Sequence, residues 1–138
     1  MDIKKLVFPI HADERGQLVA LEEFRDTPFE VKRVYYIFDA KNDVKRGQHA
    51  HKNLEQLLIC LNGGCKVLLD NGIDKGEVVL DKPNEALYIP NNTWREIYDF
   101  KPGTIILVLA SKLYDPSDYI RTYEEFLELV NSDKEEEK

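Results

Sequence analysis

The sequence predicts an all-β domain, of the sandwich, jelly-roll or barrel type, with one short helix near its C-terminus. Ten short segments rich in β-branched and aromatic residues follow one another along the chain, and turn residues separate them. A single stretch near the end has helical rather than alternating periodicity. Strands do not alternate with helices, so the pattern excludes a doubly wound α/β fold.

The predicted strands are bounded by turn signals such as Arg15-Gly16, Asn62-Gly63 and Asn71-Gly72. Their ranges are 4–8, 17–22, 32–38, 48–51, 56–61, 65–69, 76–80, 86–89, 94–98 and 104–110.

The helix is predicted to start at Thr122, because Glu125 three residues later completes a capping box. An apolar stripe follows at Tyr123, Phe126, Leu127 and Val130. We expect one domain over residues 1–131, this helix included, and a charged, disordered tail over residues 132–138.

Composition limits the classes of function. The 138 residues are 43% hydrophobic, which is enough for a core, and 26 acidic against 19 basic residues give a net charge of -7. Binding to nucleic acid polymers needs clustered positive charge, so we do not expect it. No apolar stretch approaches the roughly 20 residues of a membrane span, and the N-terminus does not resemble a signal peptide. We therefore expect a soluble, cytoplasmic protein with no membrane partner.

The two cysteines, Cys60 and Cys65, flank a strong hairpin signal at Asn62-Gly63. Such a hairpin would place them opposite each other in one ladder, where a disulfide is conceivable. A reducing cytosol favours two small, buried, unpaired side chains instead.

The densest group of polar residues runs from Arg46 to Gln56 and contains two of the three histidines. Side chains of a strand alternate between its faces, so His49 and His51 must point the same way. We expect them to share a pocket. The third histidine, His11, precedes a turn and is expected to be a loop residue.

A histidine pair of this kind has two uses. With Glu55 it could bind a transition metal, but the position expected to supply the fourth ligand holds Arg95, and a guanidinium does not ligate metals. The alternative, proton transfer next to a carbonyl, needs a base near neutrality and donors for an oxyanion. The sequence favours proton transfer, with one of the phenols of Tyr35 and Tyr36 facing the same interior.

Arginines are the second clue to the ligand. Four of them lie beside turns or within strands near the expected pocket, at Arg15, Arg33, Arg46 and Arg95. Guanidinium groups gathered at the entrance of one pocket favour a phosphorylated or otherwise anionic ligand. Trp94, the single tryptophan, would either stack on a base or sugar or fill the core.

Motifs of known families coincide with these residues. Gly47-x-His49-x-His51-x3-Glu55, running on to Gly63, resembles the first motif of the cupins, which are small jelly-roll barrels. The segment from Pro90 to Arg95 resembles a degenerate second cupin motif that lacks its histidine.

A fuller pattern resembles the dTDP-sugar 3,4-ketoisomerases, a WxcM-like family of the cupin superfamily. It extends from Arg15-Gly16 to Arg121. Its segments are Arg33-Val34-Tyr35-Tyr36-Ile37, Arg46-Gly47-Gln48-His49-Ala50-His51-Lys52, Glu55-Gln56, Cys60-Leu61-Asn62-Gly63, Trp94-Arg95-Glu96, Val108-Leu109-Ala110-Ser111 and Tyr114-Asp115-x-x-Asp118-Tyr119-Ile120-Arg121.

The resemblance implies a metal-free isomerase with no cofactor, which moves the carbonyl of dTDP-4-keto-6-deoxy-D-glucose from C4 to C3 on the route to dTDP-3-amino sugars. It implies a homodimer in which N-terminal strands are exchanged. His49 would be the base, His51 its partner acid, and Tyr35 would support the sugar. Further substrate contacts would come from Arg33, Arg46, Gln56 and Trp94.

The resemblance leaves the product open. Arg15 is similar to members that give galacto-configured products, and Arg95 to members that give gluco-configured ones, so both configurations at C4 remain. A 3,5-epimerase on the same substrate, a metal-dependent cupin and a non-catalytic sugar-nucleotide binder also remain as alternatives.

Overall fold

A computed structural model describes the backbone of residues 1–136 and the side chains up to residue 132. Within this part the chain forms twelve strands, one 3-10 helix and one α-helix. The strands are β1 (Lys4–Val7), β2 (His11–Asp13), β3 (Gly16–Leu18), β4 (Arg33–Ile37), β5 (Arg46–His51), β6 (Gln56–Asn62), β7 (Cys65–Asp70), β8 (Lys75–Leu80), β9 (Glu85–Ile89), β10 (Trp94–Tyr98), β11 (Ile105–Ala110) and β12 (Tyr119–Ile120). The 3-10 helix is Pro116–Asp118, and α1 is Tyr123–Glu136.

Two five-stranded antiparallel sheets form the body, in the orders β1-β9-β6-β11-β4 and β12-β5-β10-β7-β8. Strands β2 and β3 form a separate small hairpin. The main core lies between the large sheets and contains Leu58 and Val108 from the first and Val67 and Ile97 from the second. The predicted all-β jelly roll with a short C-terminal helix is thus confirmed.

Strand β6 shows why the first sheet is buried on both faces. Leu58 and Cys60 point into the main core, while Leu57 and Ile59 point to the other side. There Phe8 and Phe29, from the N-terminal segments, cover them. The unbroken apolar run from Leu57 to Leu61 therefore suits the place of β6 in the middle of the sheet.

The outer face of the second sheet is covered by α1. Phe126 and Val130 pack on Ala50, Trp94 and Ile120. Thr122 caps the helix as predicted, since its Oγ1 accepts a hydrogen bond from the Glu125 amide at 3.3 Å. Helix α1 continues to Glu136, into the segment expected to be a tail, and residues 137–138 lie outside the described part. The domain boundary at residue 131 stays a prediction.

All ten predicted strands are present, with differences at their ends. The largest difference is in the segment 17–22, where only Gly16–Leu18 is extended. Strands β2 and β12, of three and two residues, were not predicted, because such short segments carry too little pattern to be recognised. The α-helix is not long and apolar enough to cross a membrane.

The predicted hairpin between Cys60 and Cys65 is wrong. Strands β6 and β7 belong to different sheets, so the turn at 62–64 crosses from one layer to the other. Both cysteines are free and buried in the core between the sheets, as favoured from the sequence. Gly63 has a φ of 78°, and a Cβ there would lie 2.9 Å from the Thr104 Cα, so the crossing needs glycine.

Candidate active site

A cavity of about 570 Å³ lies between the two large sheets. Both sheets contribute to its walls, and the polar part of the lining comes from β4, β5, β6, β10 and β12, with Tyr114 from the segment after β11. The side chains that give it its chemistry are Arg33, Tyr35, His49, Gln56, Arg95 and Tyr119.

The histidine pair lies on one side of β5, as the alternation of a strand predicted. The His49 and His51 rings meet edge to face, with centroids 4.6 Å apart. Ala50 between them faces α1, and Gln48 points to the surface, where its side-chain amide donates to Glu96 at 3.4 Å. Of the two rings, that of His49 lines the cavity, whereas His51 is 1% exposed and borders an adjoining depression.

A bulge in β5 brings a further arginine to the cavity. His49 pairs with Arg95 in β10, but Arg46 pairs with Ile97, so β5 has one extra residue between the two pairs. Gly47 takes up the bulge with a φ of 64°. Residues three apart in a regular strand face opposite sides, yet Arg46 and His49 both line the cavity because of this bulge.

Three side chains form a hydrogen-bonded row across the cavity floor. Arg95 Nη1 donates to Gln56 Oε1, and Gln56 Nε2 donates to the Tyr35 hydroxyl at 3.0 Å. Arg95 Nη2 donates to the Thr93 carbonyl at 3.2 Å, while Arg95 Nε has no hydrogen-bond partner among the described residues. Tyr35 faces inward and Tyr36 is exposed, as expected from their opposite orientations. The row fixes a phenol and a guanidinium beside the imidazoles.

Burial and positive charge keep both imidazoles neutral. The pKa of His49 falls to about 3 and that of His51 to about 2, chiefly because burial penalises the charged form and then because the Arg95 charge repels a proton. Burial also lowers the pKa of Arg95 to about 10, so this residue still carries its charge near neutrality. Both histidines are therefore neutral at neutral pH, and in the free protein they are weak bases.

The cavity is built for an anion. Arg33, Arg46 and Arg95 line it, and no Asp or Glu is among the described residues of its wall. The Arg33 guanidinium lies over the rings of Tyr35 and Tyr114, at 4.9 and 5.5 Å. Unpaired guanidinium groups at a cavity favour phosphate or carboxylate groups on the ligand.

Tyr119 is a site residue that the sequence analysis did not identify. Its ring lies 4.9 Å from that of His49 and 4.4 Å from that of His51, and the Arg121 guanidinium lies over it at 4.4 Å. The residue reaches the histidines because β12 pairs with β5, with Tyr119 opposite His51. The Asp118-Tyr119-Ile120-Arg121 motif was the available signal, but it does not say which strand this segment joins.

Trp94 does not line the cavity. It is 5% exposed and packs against α1, with ring centroids 5.6 Å from Tyr123 and 6.0 Å from Phe126. Its indole nitrogen donates to Glu96 at 3.2 Å. Trp94 is therefore a core side chain and not the substrate contact that the resemblance implied. Successive residues of β10 face opposite sides, and Arg95 is the one that faces the cavity.

Arg15 also lies away from the cavity of its own chain. It sits at the turn of the β2–β3 hairpin, where it forms an ion pair with Asp13 at 2.6 Å and remains largely exposed. Arg33, Arg46, Gln56 and Arg95 are the expected contact residues that the structure does bring together.

The carboxylate considered as a third metal ligand is turned away from the histidines. Glu55 accepts a hydrogen bond from the Tyr88 hydroxyl and borders a different surface depression. Within the described side chains, no three His, Cys, Asp or Glu residues are arranged to hold a metal ion.

Comparisons with known proteins identify a family and several relatives of high sequence identity. The family model described as "FdtA: WxcM-like, C-terminal" matches residues 1–131. A curated relative from Aneurinibacillus thermoaerophilus, TDP-4-oxo-6-deoxy-alpha-D-glucose-3,4-oxoisomerase, is 48% identical, and the match covers 98% of this chain and 99% of the relative.

Two solved structures are similar over nearly the whole chain. A 3,4-ketoisomerase from Helicobacter canadensis is 49% identical with a TM-score of 0.92, covering 95% of this chain and 98% of the other. QdtA, a 3,4-ketoisomerase from Thermoanaerobacterium thermosaccharolyticum, is 41% identical with a TM-score of 0.91 and 94% coverage of both chains. That structure is of a histidine-to-asparagine mutant in complex with TDP-4-keto-6-deoxyglucose.

Proposed function

The chain belongs to the FdtA family of WxcM-like proteins, and we propose that it is the isomerase that moves the carbonyl of TDP-4-keto-6-deoxyglucose from C4 to C3. The observation that carries the proposal is the pair of neutral imidazoles, 4.6 Å apart, beside the Tyr35–Gln56–Arg95 row. The comparisons favour this reaction over the 3,5-epimerase considered from the sequence, since the relatives of high identity are named as 3,4-isomerases.

The reaction needs proton transfers between adjacent carbons and no net oxidation. His49 takes the proton from C3, and the C4 oxygen gains a proton as the 3,4-enediol forms. A proton then returns to C4 while the C3 hydroxyl loses its own, which leaves the carbonyl at C3. We assign His49, which lines the cavity, as the base, and His51, whose ring lies directly beside that of His49 on the same strand, as the partner acid.

Negative charge develops on the C4 oxygen as the C3 proton leaves. Arg95 and the Tyr35 hydroxyl are donors held in fixed positions by Gln56, so they can stabilise that charge with little rearrangement. In the free protein the positive charge of Arg95 lowers the pKa of His49. The negative charge of a nearby substrate diphosphate would offset this repulsion and so raise the pKa of His49. Substrate binding thereby makes His49 a stronger base.

The nucleotide end is assigned to the remaining arginines. Arg33 and Arg46 line the cavity from different strands and can each meet diphosphate oxygens with two N–H groups. Trp94 takes no part in this assignment, since it packs against α1.

The same proposal includes a homodimer that exchanges N-terminal strands. The β2–β3 hairpin stands apart from the large sheets and leaves Ile10 and Leu18 exposed, with Phe24 exposed farther along. A partner subunit would cover these side chains, and Arg15 at the hairpin turn would then reach the partner's cavity. Sedimentation equilibrium should give twice the chain mass of 16.1 kDa, and a monomer would refute this part. The cytoplasmic location also stays a prediction.

The experiment is NMR of the purified protein with TDP-4-keto-6-deoxyglucose in deuterated water. We expect the carbonyl carbon signal to move from C4 to C3, deuterium to enter at C4, and the couplings of the product to give its configuration there. His49→Asn should lose turnover, because it removes the base. Deuterium at C5 without carbonyl migration, or normal turnover by the His49→Asn variant, would refute the proposal.

A further inference from the structure

The more deeply buried imidazole has a carboxylate beside it that the reaction scheme has not used. Asp118 Oδ2 lies 3.4 Å from His51 Nδ1, and the His51 side chain is 1% exposed. Neither ring nitrogen of His51 makes a hydrogen bond with the described residues. An approach of a few tenths of an ångström brings the two atoms to hydrogen-bond distance, and such contacts commonly tighten when substrate binds.

The backbone of the loop after β5 holds Asp118 in place. The Asn53 amide donates to Asp118 Oδ1 at 2.9 Å, and the Lys52 amide donates to the Asp118 carbonyl at 3.3 Å. With Oδ1 fixed by that amide, Oδ2 is the carboxylate oxygen that faces the imidazole. Asp118 is thus held by the two residues that directly follow His51 in the chain.

The other charged groups around His51 are cationic. Arg33 on β4, Arg95 on β10 and Arg121 after β12 each disfavour its protonated form, as does His49 on its own strand. Among the described residues, Asp118 is the carboxylate within ion-pair distance of this ring. An imidazolium formed during turnover needs such an anion.

We propose that Asp118 is a positioning residue for His51: it holds the proton on Nδ1, so that Nε2 carries the lone pair that exchanges a proton with the substrate. A carboxylate accepts but does not donate, so it favours the tautomer with the proton on Nδ1 over the one with the proton on Nε2 alone. The inference rests on the proposed isomerase reaction for its catalytic meaning, but the tautomer itself is a property of the free protein.

The first test reads the tautomer without substrate. In long-range proton–nitrogen spectra of histidine-labelled protein at pH 7, the wild type should show His51 protonated at Nδ1, with signals assigned by their loss in His51→Asn. Asp118→Asn should shift protonation toward Nε2, because an amide can also donate to Nδ1. Asp115→Asn is the matched control: it makes the same change at the N-cap of the same 3-10 helix, where the Ser117 amide donates to Asp115 Oδ1 at 3.0 Å.

The second test is a double-mutant cycle on turnover. Asp118→Asn should lower kcat by about 10 to 100-fold and leave KM within about threefold, while Asp115→Asn stays near wild type. In the His51→Asn background, Asp118→Asn should cost nothing further, because its effect passes through His51. A merely structural role would lower activity equally in both backgrounds.

Three results would overturn the inference: an unchanged tautomer in Asp118→Asn, an unchanged kcat, or an equal loss with and without His51. If the His51→Asn variant has no measurable turnover, the double-mutant cycle cannot be completed, and the tautomer measured in Asp118→Asn then decides whether the inference holds. A wild type that fails to move the carbonyl would refute the proposed function and leave the tautomer measurement intact.

Discussion

The two buried imidazoles make the stability of the fold sensitive to acid. In the folded protein the pKa is about 3 for His49 and about 2 for His51, whereas in an unfolded chain a histidine titrates near 6.5. As the pH falls through 6.5, the unfolded chain binds protons that the folded chain cannot bind. Stability is therefore unaffected above about pH 7 and is lost progressively below pH 6.5, down to the folded pKa values.

The magnitude follows from the width of that interval. Each histidine lowers the free energy of unfolding by about 1.4 kcal/mol per pH unit once the unfolded form is fully protonated. Between pH 7 and pH 5 this amounts to about 2 kcal/mol per histidine, or about 4 kcal/mol for the pair. His51→Asn should therefore remove about half of the loss, since asparagine does not titrate.

The assay is urea denaturation of each protein at pH 7 and pH 5, and the quantity of interest is the difference between the two pH values within each protein. This difference cancels the packing change that the substitution itself causes. An unchanged pH dependence in the His51→Asn variant would refute the assignment of acid sensitivity to this ring.

Three other predictions concern packing and reactivity. Gly63→Ala should destabilise the protein by about 1 to 3 kcal/mol in urea denaturation, since its backbone is left-handed and a Cβ would press on Thr104; an unchanged midpoint would contradict the need for glycine there. Trp94→Ala should lower the free energy of unfolding by about 3 to 5 kcal/mol. It should leave the KM for the TDP-sugar unchanged in steady-state assays, because the indole contacts α1 and not the cavity. A raised KM would indicate that Trp94 contacts the substrate. A disulfide-exchange reagent should titrate Cys65 only after unfolding, because burial raises its thiol pKa to about 12, and rapid labelling of the native protein would disprove that burial.

The strands and the histidine pair could be predicted because both depend on local alternation. His49 and His51 had to share a face once their segment was recognised as extended, and the inward orientation of Tyr35 rather than Tyr36 follows the same rule. The positions of Arg46 and Arg95 beside them depend additionally on the bulge at 47 and on the pairing of β10 with β5, which alternation alone does not give.

The parts that could not be predicted depend on which distant segments meet. Nothing local distinguishes a hairpin within one sheet from a turn that crosses between sheets, so Cys60 and Cys65 were wrongly placed on one ladder. Tyr119 and Asp118 reach the histidines through the two-residue strand β12. It pairs with β5, and the paired residues Tyr119 and His51 are 68 positions apart in the sequence. Trp94 and Arg95 were both expected at the ligand, although neighbours on a strand face opposite sides.

Strand β5 lies between the cavity on one face of its sheet and helix α1 on the other. His49 and His51 lie on the side of β5 away from α1, with His49 at the cavity, while Ala50 between them is fully buried under Phe126 and Val130 of α1. A larger side chain at position 50 has no room to expand toward the helix, so it must displace both imidazoles together. Variants with altered turnover should accordingly arise at Phe126 and Val130. A mutational library restricted to the cavity wall would miss these positions, and shortening the chain ahead of Phe126 would disturb the reaction from the opposite face of the sheet.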